Sequence, residues 1–439
     1  MSNVLKNQQN ILAKLAIEEL NAMQREAELA IASNAEIVLL SPTGTGKTLA
    51  FLLPIIAELD ANSSEVQVLI IVPSRELAIQ IEQVTREMGT GFKANAVYGG
   101  RAGAKDKIDL SHRPAILIGT PGRIADHLRR ESFSTDEIVT LVLDEFDKSL
   151  EIGFEAEMKE INSLLPMVKK KILTSATNKV NIPEFVALKN PVYVNYLDDG
   201  IPQLKIKTIL SPTKDKIETL AETLHQLKNQ SGIIFCNFKD SIQFVSDYLT
   251  ENKINHGCFY GGMEQKDRER ALIKFRNGTY QLLIATDLAA RGIDVPEIKF
   301  IIHYQLPLKK YEFVHRNGRT ARMHQEGTAY ILHWGKEDLR DYLEGTDPIK
   351  MEDLSKISTP ASTTWKTVFV SGGRKDKISK GDISGLFMKQ GQLTQDQIGI
   401  IELKQDCAFV AVQASQVNNL IRIVDNTRLK KKKIRVNLI

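Results

Sequence analysis

The chain has 439 residues, a length that predicts about three domains of ordinary size. Its composition, 42% apolar and 26% charged, is typical of a soluble globular protein, and no apolar run is long enough to span a bilayer. The N-terminal residues form neither a basic region nor an apolar core. We therefore predict no signal peptide, no membrane partner and a cytoplasmic location. The three cysteines lack metal-ligand spacing and fit a reducing compartment.

Charge is distributed unevenly along the chain. Residues 364–439 contain 14 Lys and Arg against 6 Asp and Glu, whereas the rest of the chain contains 44 against 48. A basic terminal domain on a nearly neutral body indicates a partner that is a polyanion, nucleic acid first. A solvated charged surface would give the same counts, so charge alone does not decide.

Short apolar runs alternate with helical stretches between residues 30 and 195. Such runs predict strands that are buried on both faces, hence a parallel α/β sheet. The predicted strands are Ile37–Leu40, Val68–Val72, Ala115–Ile118, Leu141–Leu143 and Lys171–Leu173. After the polar stretch Tyr196–Gln203 the pattern restarts. Its predicted strands are Ile206–Leu210, Gly232–Cys236, Gln281–Ala285, Lys299–His303 and Thr328–His333.

The last part of the chain has a different pattern. Residues 346–363 are rich in Ser, Thr and Pro and are predicted to form a linker. Beyond it we predict strands and helices of a small α+β domain at Thr367–Ser371, Ser379–Gln390, Cys407–Gln413, Ala414–Val424 and Lys433–Leu438. The predicted organisation is therefore α/β, with two tandem parallel-sheet domains (1–198 and 199–345), the linker, and an α+β domain (364–439).

A glycine-rich segment follows the first predicted strand and precedes a helical run. Glycines allow backbone N–H groups to surround phosphate oxygens, and the helix N-terminus adds its positive dipole end. We predict that ATP is bound here by Thr43, Gly44, Thr45, Gly46, Lys47 and Thr48. Lys47 would reach the β- and γ-phosphates, and the Thr48 hydroxyl would bind Mg²⁺. Ser41 stands where the strict pattern has Gly or Ala.

An acidic motif ends the strand at Leu141–Leu143. Carboxylates that follow a buried strand lie at the carboxyl edge of the sheet, beside the phosphate loop. Asp144 would then bind Mg²⁺, and Glu145 would orient and deprotonate the attacking water. Acidic residues also favour a helix N-terminus for its dipole alone. The upstream Lys47 favours the nucleotide site over that alternative.

At this point the sequence resembles the DEAD-box RNA helicases, over roughly residues 10–345. Ten short family motifs occur in the family's order. They are SPTGTGKT (41–48), PSRELA (73–78), GG (99–100), TPGR (120–123), DEFD (144–147), SAT (175–177), IIFCN (233–237), QKDR (265–268), ATDLAARGID (285–294) and HRNGRTAR (315–322). The resemblance implies two RecA-like domains that close over ATP and RNA.

The resemblance also implies which residues contact the nucleotide. Gln24 would read the adenine edge, and Asp294 would contact the ribose. Arg319 and Arg322 would act as arginine fingers, which place positive charge where negative charge develops during phosphoryl transfer. Ile17 stands where the family has an aromatic ring that stacks on adenine, so this chain departs from the family there. We still predict a preference for ATP over GTP.

The resemblance also implies a path that couples hydrolysis to domain movement. Asp147, Ser175 and Thr177 would form it, and Arg316 would support the contact between the domains. Phe146 replaces the usual Ala of the acidic motif. A bulky ring at this position puts the strength of the coupling in question more than Mg²⁺ binding.

RNA contacts are implied at the loops of both domains. The matching positions are Arg75, Gly100, Thr120, Gly122 and Arg123 in the first domain, and Gln265, Arg268 and Thr286 in the second. Contacts of this kind to phosphates and 2′-hydroxyl groups position a strand without reading its bases.

Residues 366–439 resemble the RNA-binding domain of DbpA-like bacterial helicases, a variant of the RRM fold. In an ordinary RRM, aromatic side chains on the central strands stack on bases, and Phe369 and Phe409 could take two such places. Both also lie in apolar runs, which favours packing in the core. We therefore predict that basic side chains bind the RNA, among them Arg374, Lys375, Lys377, Lys431 and Lys432.

The resemblance implies that this module binds structured ribosomal RNA and tethers the helicase core near its substrate during assembly of the large ribosomal subunit. Three readings stay open on the sequence. The chain is an RNA-dependent ATPase that unwinds local duplexes, an ATP-gated RNA clamp with little strand separation, or a DNA helicase. The motifs and the RNA-type tail favour the first. We expect a monomer.

Overall fold

The computed structural model describes residues 7–100, 103–151, 153–177, 182–197, 204–227, 230–287, 298–320, 327–337, 343, 347–349 and 364–439. These residues fall into two compact units, one up to residue 197 and the other from residue 204 onward. Within the described ranges no helix combines the length and the apolar character needed to cross a bilayer.

The first unit is built on a parallel sheet. Its strands are β1 (Glu36–Leu40), β2 (Val68–Ile71), β3 (Ala94–Val97), β4 (Ile116–Gly119), β5 (Thr140–Leu143), β6 (Lys170–Ser175) and β7 (Val192–Asn195). Its helices are α1 (Gln8–Lys14), α2 (Ala22–Ser33), α3 (Lys47–Glu58), α4 (Arg75–Glu87), α5 (Gly103–Leu110), α6 (Pro121–Arg129), α7 (Phe146–Glu151) and α8 (Glu155–Ser163). The strand order is β3-β4-β2-β5-β6-β1-β7.

Apolar layers cover both faces of this sheet. Alternate residues of β1 point to opposite sides, since Ile37 and Leu39 belong to one core cluster and Val38 and Leu40 to the other. Every residue of β2, β4 and β5 is buried. Burial on both faces explains why these strands read as continuous apolar runs rather than as alternating patterns.

The second unit begins with another parallel sheet, in the order β10-β11-β9-β12-β13-β8-β14. Its strands are β8 (Leu204–Ser211), β9 (Gly232–Phe235), β10 (His256–Phe259), β11 (Leu282–Ala285), β12 (Phe300–His303), β13 (Gly327–Trp334) and β14 (Asp347–Ile349). The described helices are α9 (Ile217–Gln226), α10 (Lys239–Glu251), α11 (Gln265–Arg276) and α12 (Lys310–Asn317).

The same unit ends in a small domain with an antiparallel sheet, which we call the C-terminal module (residues 364–439). Its main strands are β15 (Trp365–Val370), β16 (Ile398–Leu403), β17 (Ala408–Gln413) and β20 (Val436–Leu438), in the order β16-β17-β15-β20. Helices α13 (Lys380–Lys389) and α14 (Val417–Val424) pack on one face of the sheet, and a short hairpin joins β18 (Arg428–Leu429) to β19 (Lys432–Lys433). The predicted fold class is confirmed.

Candidate nucleotide and RNA sites

The carboxyl edge of the first sheet carries the predicted motifs in two adjacent groups. The phosphate loop follows β1, the acidic motif follows β5, and Ser175 ends β6, three strands that are neighbours in the sheet. The three strands on the other side, β3, β4 and β2, are followed by Gly100, Thr120 and Arg75. The sheet order thus separates the residues predicted to bind the nucleotide from those predicted to bind RNA, and we call the two groups the nucleotide half and the RNA half of the edge.

The phosphate loop already has the conformation that its glycines permit. Gly44 and Gly46 have φ angles of +85° and +86°, a region that side chains disfavour. The Lys47 ammonium lies inside the loop and donates to the carbonyl oxygens of Ser41 (2.6 Å) and Pro42 (2.8 Å). Burial lowers the pKa of Lys47 to about 8, against the opposing effect of Glu145. The cation is therefore held where phosphate oxygens would replace the carbonyl groups.

Gln24 connects helix α2 to the phosphate loop. Its side chain closes a capping box with Asn21 and donates to the Gly46 carbonyl oxygen at 3.3 Å. Asn21 in turn donates to the Thr45 carbonyl oxygen at 3.0 Å. A Cβ atom at residue 46 would stand 2.4 Å from the Gln24 amide nitrogen, so a side chain there would displace the Gln24 amide from its bond to the loop. The predicted contact of Gln24 with adenine stays a prediction.

Asp144 and Glu145 are held together by a residue that the motif search missed. The Thr174 hydroxyl donates to the Asp144 carboxylate and accepts a bond of 3.1 Å from the backbone N–H of Glu145. Burial, and then the neighbouring charge of Glu145, raises the pKa of Asp144 to about 6. Thr174 directly precedes the SAT motif on β6, the strand beside β5, which is the signal that could have found it.

Lys148 is a second residue that the sequence did not single out. Its side chain is fully buried, and its ammonium lies 3.3 Å from the Glu145 carboxylate. Glu145 itself has a φ of +50°, a left-handed conformation that is costly for a residue with a side chain. An ion pair and a strained backbone therefore fix the direction of the predicted general base.

The residues predicted to couple hydrolysis to movement are in contact. The Thr177 hydroxyl donates to the Asp147 carboxylate at 3.1 Å, and the Ser175 hydroxyl donates to the Thr177 carbonyl oxygen at 2.8 Å. Phe146 is 2% exposed and packs in the apolar layer beneath the acidic loop. Its bulk is accommodated in the core, and the contact between Asp147 and Thr177 is made beside it.

In the RNA half, Arg75 lies against the turn at Gly100. A Cβ atom at residue 100 would stand 2.7 Å from the Arg75 guanidinium, and the φ of Gly100 is +81°. Thr120 precedes helix α6 as its N-cap but makes no side-chain capping bond. Gly122, in the first turn of α6, has no neighbour near the place of a Cβ atom. Gly100 and Gly122 are therefore exposed at this edge, the first of them beside a guanidinium.

Arg123 belongs to a buried polar network. Its guanidinium donates to Asp106 at 2.7 and 2.8 Å and lies 3.3 Å from Asp126. Asp106 is fully buried and also contacts the imidazole of His127 at 3.1 Å, whose other nitrogen lies 3.1 Å from the Ser132 hydroxyl. These bonds tie α6 to α5, so Arg123 holds the loop in place as well as presenting charge.

The three RNA positions of the second domain meet at the ends of two neighbouring strands. The guanidinium of Arg268 stacks on the ring of Phe259, 4.6 Å from its centroid. The backbone N–H of Thr286 donates to the Phe259 carbonyl oxygen at 3.3 Å, and Gln265 begins helix α11 one turn before Arg268. The predicted set is thus one local cluster around Phe259.

Arg316 is held by residues of its own domain, and its expected support of the contact between the domains stays a prediction. It is 2% exposed, forms a bidentate ion pair with Asp287, and donates to Asn237 (2.7 Å) and to the Gln305 carbonyl oxygen (2.6 Å). All three partners belong to the second domain, so Arg316 anchors the loops of its own domain. Arg319 is 5% exposed. Asp294 and Arg322 lie outside the described residues.

The predicted basic residues of the C-terminal module lie on one edge. Lys432 pairs with Asp376 at 2.7 Å, which ties the β18–β19 hairpin to the turn after Gly373. Lys430 pairs with Asp382 at 2.6 Å, which ties the same hairpin to the first turn of α13. The remaining side chains of this edge are exposed at Lys375, Lys377 and Lys431, with Arg374 half-buried. We call the set Arg374, Lys375, Lys377, Lys431 and Lys432 the basic edge.

Comparison with known families assigns all three domains. Residues 21–185 match the DEAD/DEAH box helicase family, residues 215–324 the helicase conserved C-terminal domain, and residues 367–438 the DbpA RNA binding domain. The chain belongs to the DEAD-box ATP-dependent RNA helicases, and among them to the DbpA-like helicases. It is thus an RNA helicase that uses ATP.

Two bacterial relatives match nearly the whole length. The chain is 30% identical to the ATP-dependent RNA helicase DbpA of Bacillus subtilis, over 97% of this chain and 96% of that protein. It is 29% identical to the helicase of the same name from Escherichia coli, over 98% and 96%. Among solved structures, S. cerevisiae Dbp5 bound to RNA and ADP BeF3 superposes with a TM-score of 0.70 at 23% identity, covering 81% of this chain and 97% of that one. The last likeness shows the fold.

Proposed function

We propose that this helicase remodels ribosomal RNA during assembly of the large ribosomal subunit, as a cytoplasmic monomer. The observation that carries the proposal is the C-terminal module, which matches a dedicated RNA-binding domain and collects its lysines on one edge. A helicase core that contacts only phosphates and 2′-hydroxyl groups has no preference among RNAs. A module that holds one structured RNA supplies that preference by raising the local concentration of the core.

We propose that ATP turnover uses buried residues of the first domain together with arginines of the second. Lys47 binds the β- and γ-phosphates within the loop from Thr43 to Thr48. Glu145, held by Lys148, orients and deprotonates the attacking water. Arg319 is the proposed arginine finger, together with Arg322.

The residues of the nucleotide site fit Mg²⁺. This ion usually takes one or two protein carboxylates and completes its shell with substrate phosphates and water. Asp144 offers one buried carboxylate, and Thr48, the residue after Lys47, has a hydroxyl of the kind that phosphate loops use to bind this ion. Among the described residues no group of three or more His, Cys, Asp or Glu is placed to hold a metal alone. When bound, Mg²⁺ neutralises the charge that develops on the phosphates.

The proposed RNA target is tested by crosslinking the protein to RNA in cells and sequencing the attached fragments. We expect fragments of large-subunit ribosomal RNA to dominate for the natural chain. The matched control replaces Lys375, Lys377 and Lys431 by Gln, a change confined to exposed side chains. It should lose the enrichment and keep ATP hydrolysis that is stimulated by unrelated RNA. An even spread over cellular RNAs for the natural chain would contradict the proposal.

A further inference from the structure

A groove lies along one border of the second parallel sheet, where β10 is the last strand. We call it the β10 groove. Its volume is about 650 Å³, and helices α10 and α11 contribute its walls. The lining residues that the structure describes include three cations, Lys253, Arg270 and Lys274, and one carboxylate, Asp267. The groove therefore has a net positive charge, which favours an anionic ligand.

The cations of the β10 groove are directed into it from both walls. Arg270 and Lys274 are four residues apart on α11, a spacing that places their side chains on the same side of a helix. Lys253 lies in the turn after α10 and is exposed. Among the described residues no carboxylate forms an ion pair with Lys253 or Arg270. Their charge is therefore available to a ligand.

The floor of the groove is held by hydrogen bonds and carries no charge. The His256 imidazole lies 2.8 Å from the Ser246 hydroxyl and 2.8 Å from the Ile254 carbonyl oxygen, so both ring nitrogens have partners. Burial lowers the pKa of His256, which keeps the ring neutral. The Asn255 amide donates to the Thr279 carbonyl oxygen at 2.8 Å. The three cations thus surround a fixed, neutral surface.

The tyrosine ring in the groove is already in contact on both sides. Tyr280 packs against β10, since a Cβ atom at Gly257 would stand 2.7 Å from its ring. The Lys274 ammonium lies 5.3 Å from the centroid of the same ring. A base that stacks needs a free aromatic face. The groove therefore offers charge for phosphate groups rather than a surface for bases.

One end of the groove meets the RNA positions that are predicted for the second domain. The sulfur of Met263, a lining residue, accepts a bond of 3.4 Å from the backbone N–H of Tyr260. Tyr260 follows Phe259, the residue on which Arg268 stacks. A strand that contacts the cluster around Phe259 can thus continue along β10 over a positive surface. This continuity favours RNA over a small anion or an acidic peptide.

We propose that the β10 groove is a second RNA track, which binds the phosphates of a strand that continues beyond the predicted cluster. Contacts to phosphates position a strand without reading its bases, so the track lengthens the RNA site of the core without selecting a sequence. The inference rests on the proposed RNA contacts of Gln265 and Arg268, but not on the ribosomal target. RNA of unrelated sequence is therefore the probe.

RNA length separates the β10 groove from the predicted cluster. A short single-stranded RNA that fills only the core is compared with the same RNA extended at its 5′ or its 3′ end. The natural full-length chain should bind one of the two extended RNAs about tenfold more tightly than the short one, because the extension adds several exposed ion pairs. No gain from either extension would overturn the proposal.

A triple substitution tests the cations of the groove together. Lys253→Gln, Arg270→Gln and Lys274→Gln are combined in the full-length chain. We expect the gain from the extension to disappear and the slope of log affinity against log salt to fall by about 2, because three phosphate contacts are lost. Affinity for the short RNA and the ATPase activity that it stimulates should be unchanged, which also shows that the variant folds. A gain equal to that of the natural chain would refute the track.

A single substitution with a matched control separates this site from general surface charge. Lys253→Gln should reduce the gain from the extension about threefold. Lys299→Gln should leave it unchanged, because Lys299 is also an exposed lysine before a strand of this sheet, β12, but lies outside the groove. Equal losses in the two variants would assign the gain to general charge and contradict the proposal.

Crosslinking identifies the occupant of the groove. A photoreactive uridine is placed in the extension that increases affinity, and the crosslinked peptides are identified by mass spectrometry. We expect peptides that contain Lys253, Arg270 or Lys274, whereas crosslinks confined to the C-terminal module would overturn the proposal. Binding of a Glu-rich peptide that the triple substitution abolishes, without any gain from extended RNA, would assign the groove to an acidic protein segment instead. Failure to prefer ribosomal RNA would refute the proposed function and leave these results standing.

Discussion

The nucleotide half of the first sheet and the basic edge of the C-terminal module are both proposed to bind anionic ligands, but they are built in opposite ways. Lys47, Asp144 and Lys148 are buried, and each is held by named partners. Lys375 is exposed in a short 3-10 helix, and Lys431 is exposed in the turn of the β18–β19 hairpin. A buried group acts in a low dielectric and at a fixed position, whereas an exposed one acts through screened charge. We therefore expect single substitutions to act strongly in the first region and weakly in the second.

The strongest effect is expected at Glu145. Glu145→Gln removes the proposed base and should lower the rate of ATP hydrolysis about 10²- to 10⁴-fold, the range for general base catalysis. Affinity for ATP should stay within about threefold, because the phosphate loop is untouched. Glu131→Gln is the matched control: Glu131 also has a left-handed backbone (φ +49°) but is exposed. Single-turnover phosphate release and nucleotide titration measure the two quantities. A rate close to that of the natural chain would remove Glu145 from the chemistry.

A smaller effect is expected in the RNA half, where the polar network holds Arg123. Asp106→Asn removes the charge that binds this guanidinium, and a hydrogen bond to a charged group is worth about 1.5–3 kcal/mol. We expect the RNA concentration for half-maximal ATPase stimulation to rise about tenfold, with the KM for ATP unchanged. The control is Asp109→Asn on the same helix. A parallel rise in both constants would mean that the network supports the whole domain rather than the RNA loop.

A still smaller effect is expected on the coupling between ATP hydrolysis and strand separation. Thr177→Val removes one hydrogen bond to Asp147, a contact worth about 0.5–1.5 kcal/mol. We expect strand separation per ATP hydrolysed to fall about fivefold, while Thr177→Ser keeps the hydroxyl and the natural ratio. Strand displacement and phosphate release are measured in the same reaction. An unchanged ratio in the valine variant would show that this bond does not couple the two events.

The smallest single effect is expected on the basic edge. Lys431→Gln should weaken RNA binding only about twofold to threefold, because an exposed ion pair contributes about 1 kcal/mol or less. The losses of binding free energy from substitutions at Lys375, Lys377 and Lys431 should be additive. Each substitution should also lower the number of counterions released on RNA binding, read from the salt dependence of the affinity, by about one. Affinity titrations at several salt concentrations test this. A collapse of binding from one substitution would show that the edge, like the nucleotide half, depends on one positioned group.

The contrast between buried and exposed regions also separates the strands that were predicted from the sequence from those that were missed. Central strands such as β2 and β5 are buried on both faces and were predicted from their apolar runs to within one residue at each end. The missed strands β3, β7, β10, β14 and β16 lie at the edges of their sheets. An edge strand is buried less completely, and β7 shows it, since Val192 and Tyr193 are exposed. An apolar run in the sequence therefore predicts a central strand of a sheet, whereas it does not reveal the edge strands.

The site residues also fall into a group that the sequence predicted and a group that it did not. The motifs and their spacing predicted Lys47, Asp144 and Glu145, because the chemistry of a nucleotide site requires those residue types in that order. Thr174 and Lys148 escaped, since a hydroxyl and an ammonium that orient a carboxylate can come from many positions in a sequence. The partners of Arg316 could not be predicted, because a motif gives residue identity without its partners, and those partners, Asp287 among them, come from other loops of the same domain.

RNA-dependent phosphate release by the purified full-length chain tests the central claim most directly. The natural protein, Mg²⁺ and ATP are mixed with a large-subunit ribosomal RNA fragment, with an unrelated RNA of equal length, or with no RNA. We expect hydrolysis to be slow without RNA, faster with the unrelated RNA at high concentration, and fastest with the ribosomal fragment at low concentration. Absence of phosphate release at saturating RNA would contradict the account of the nucleotide site, and equal response to both RNAs would contradict the role of the C-terminal module.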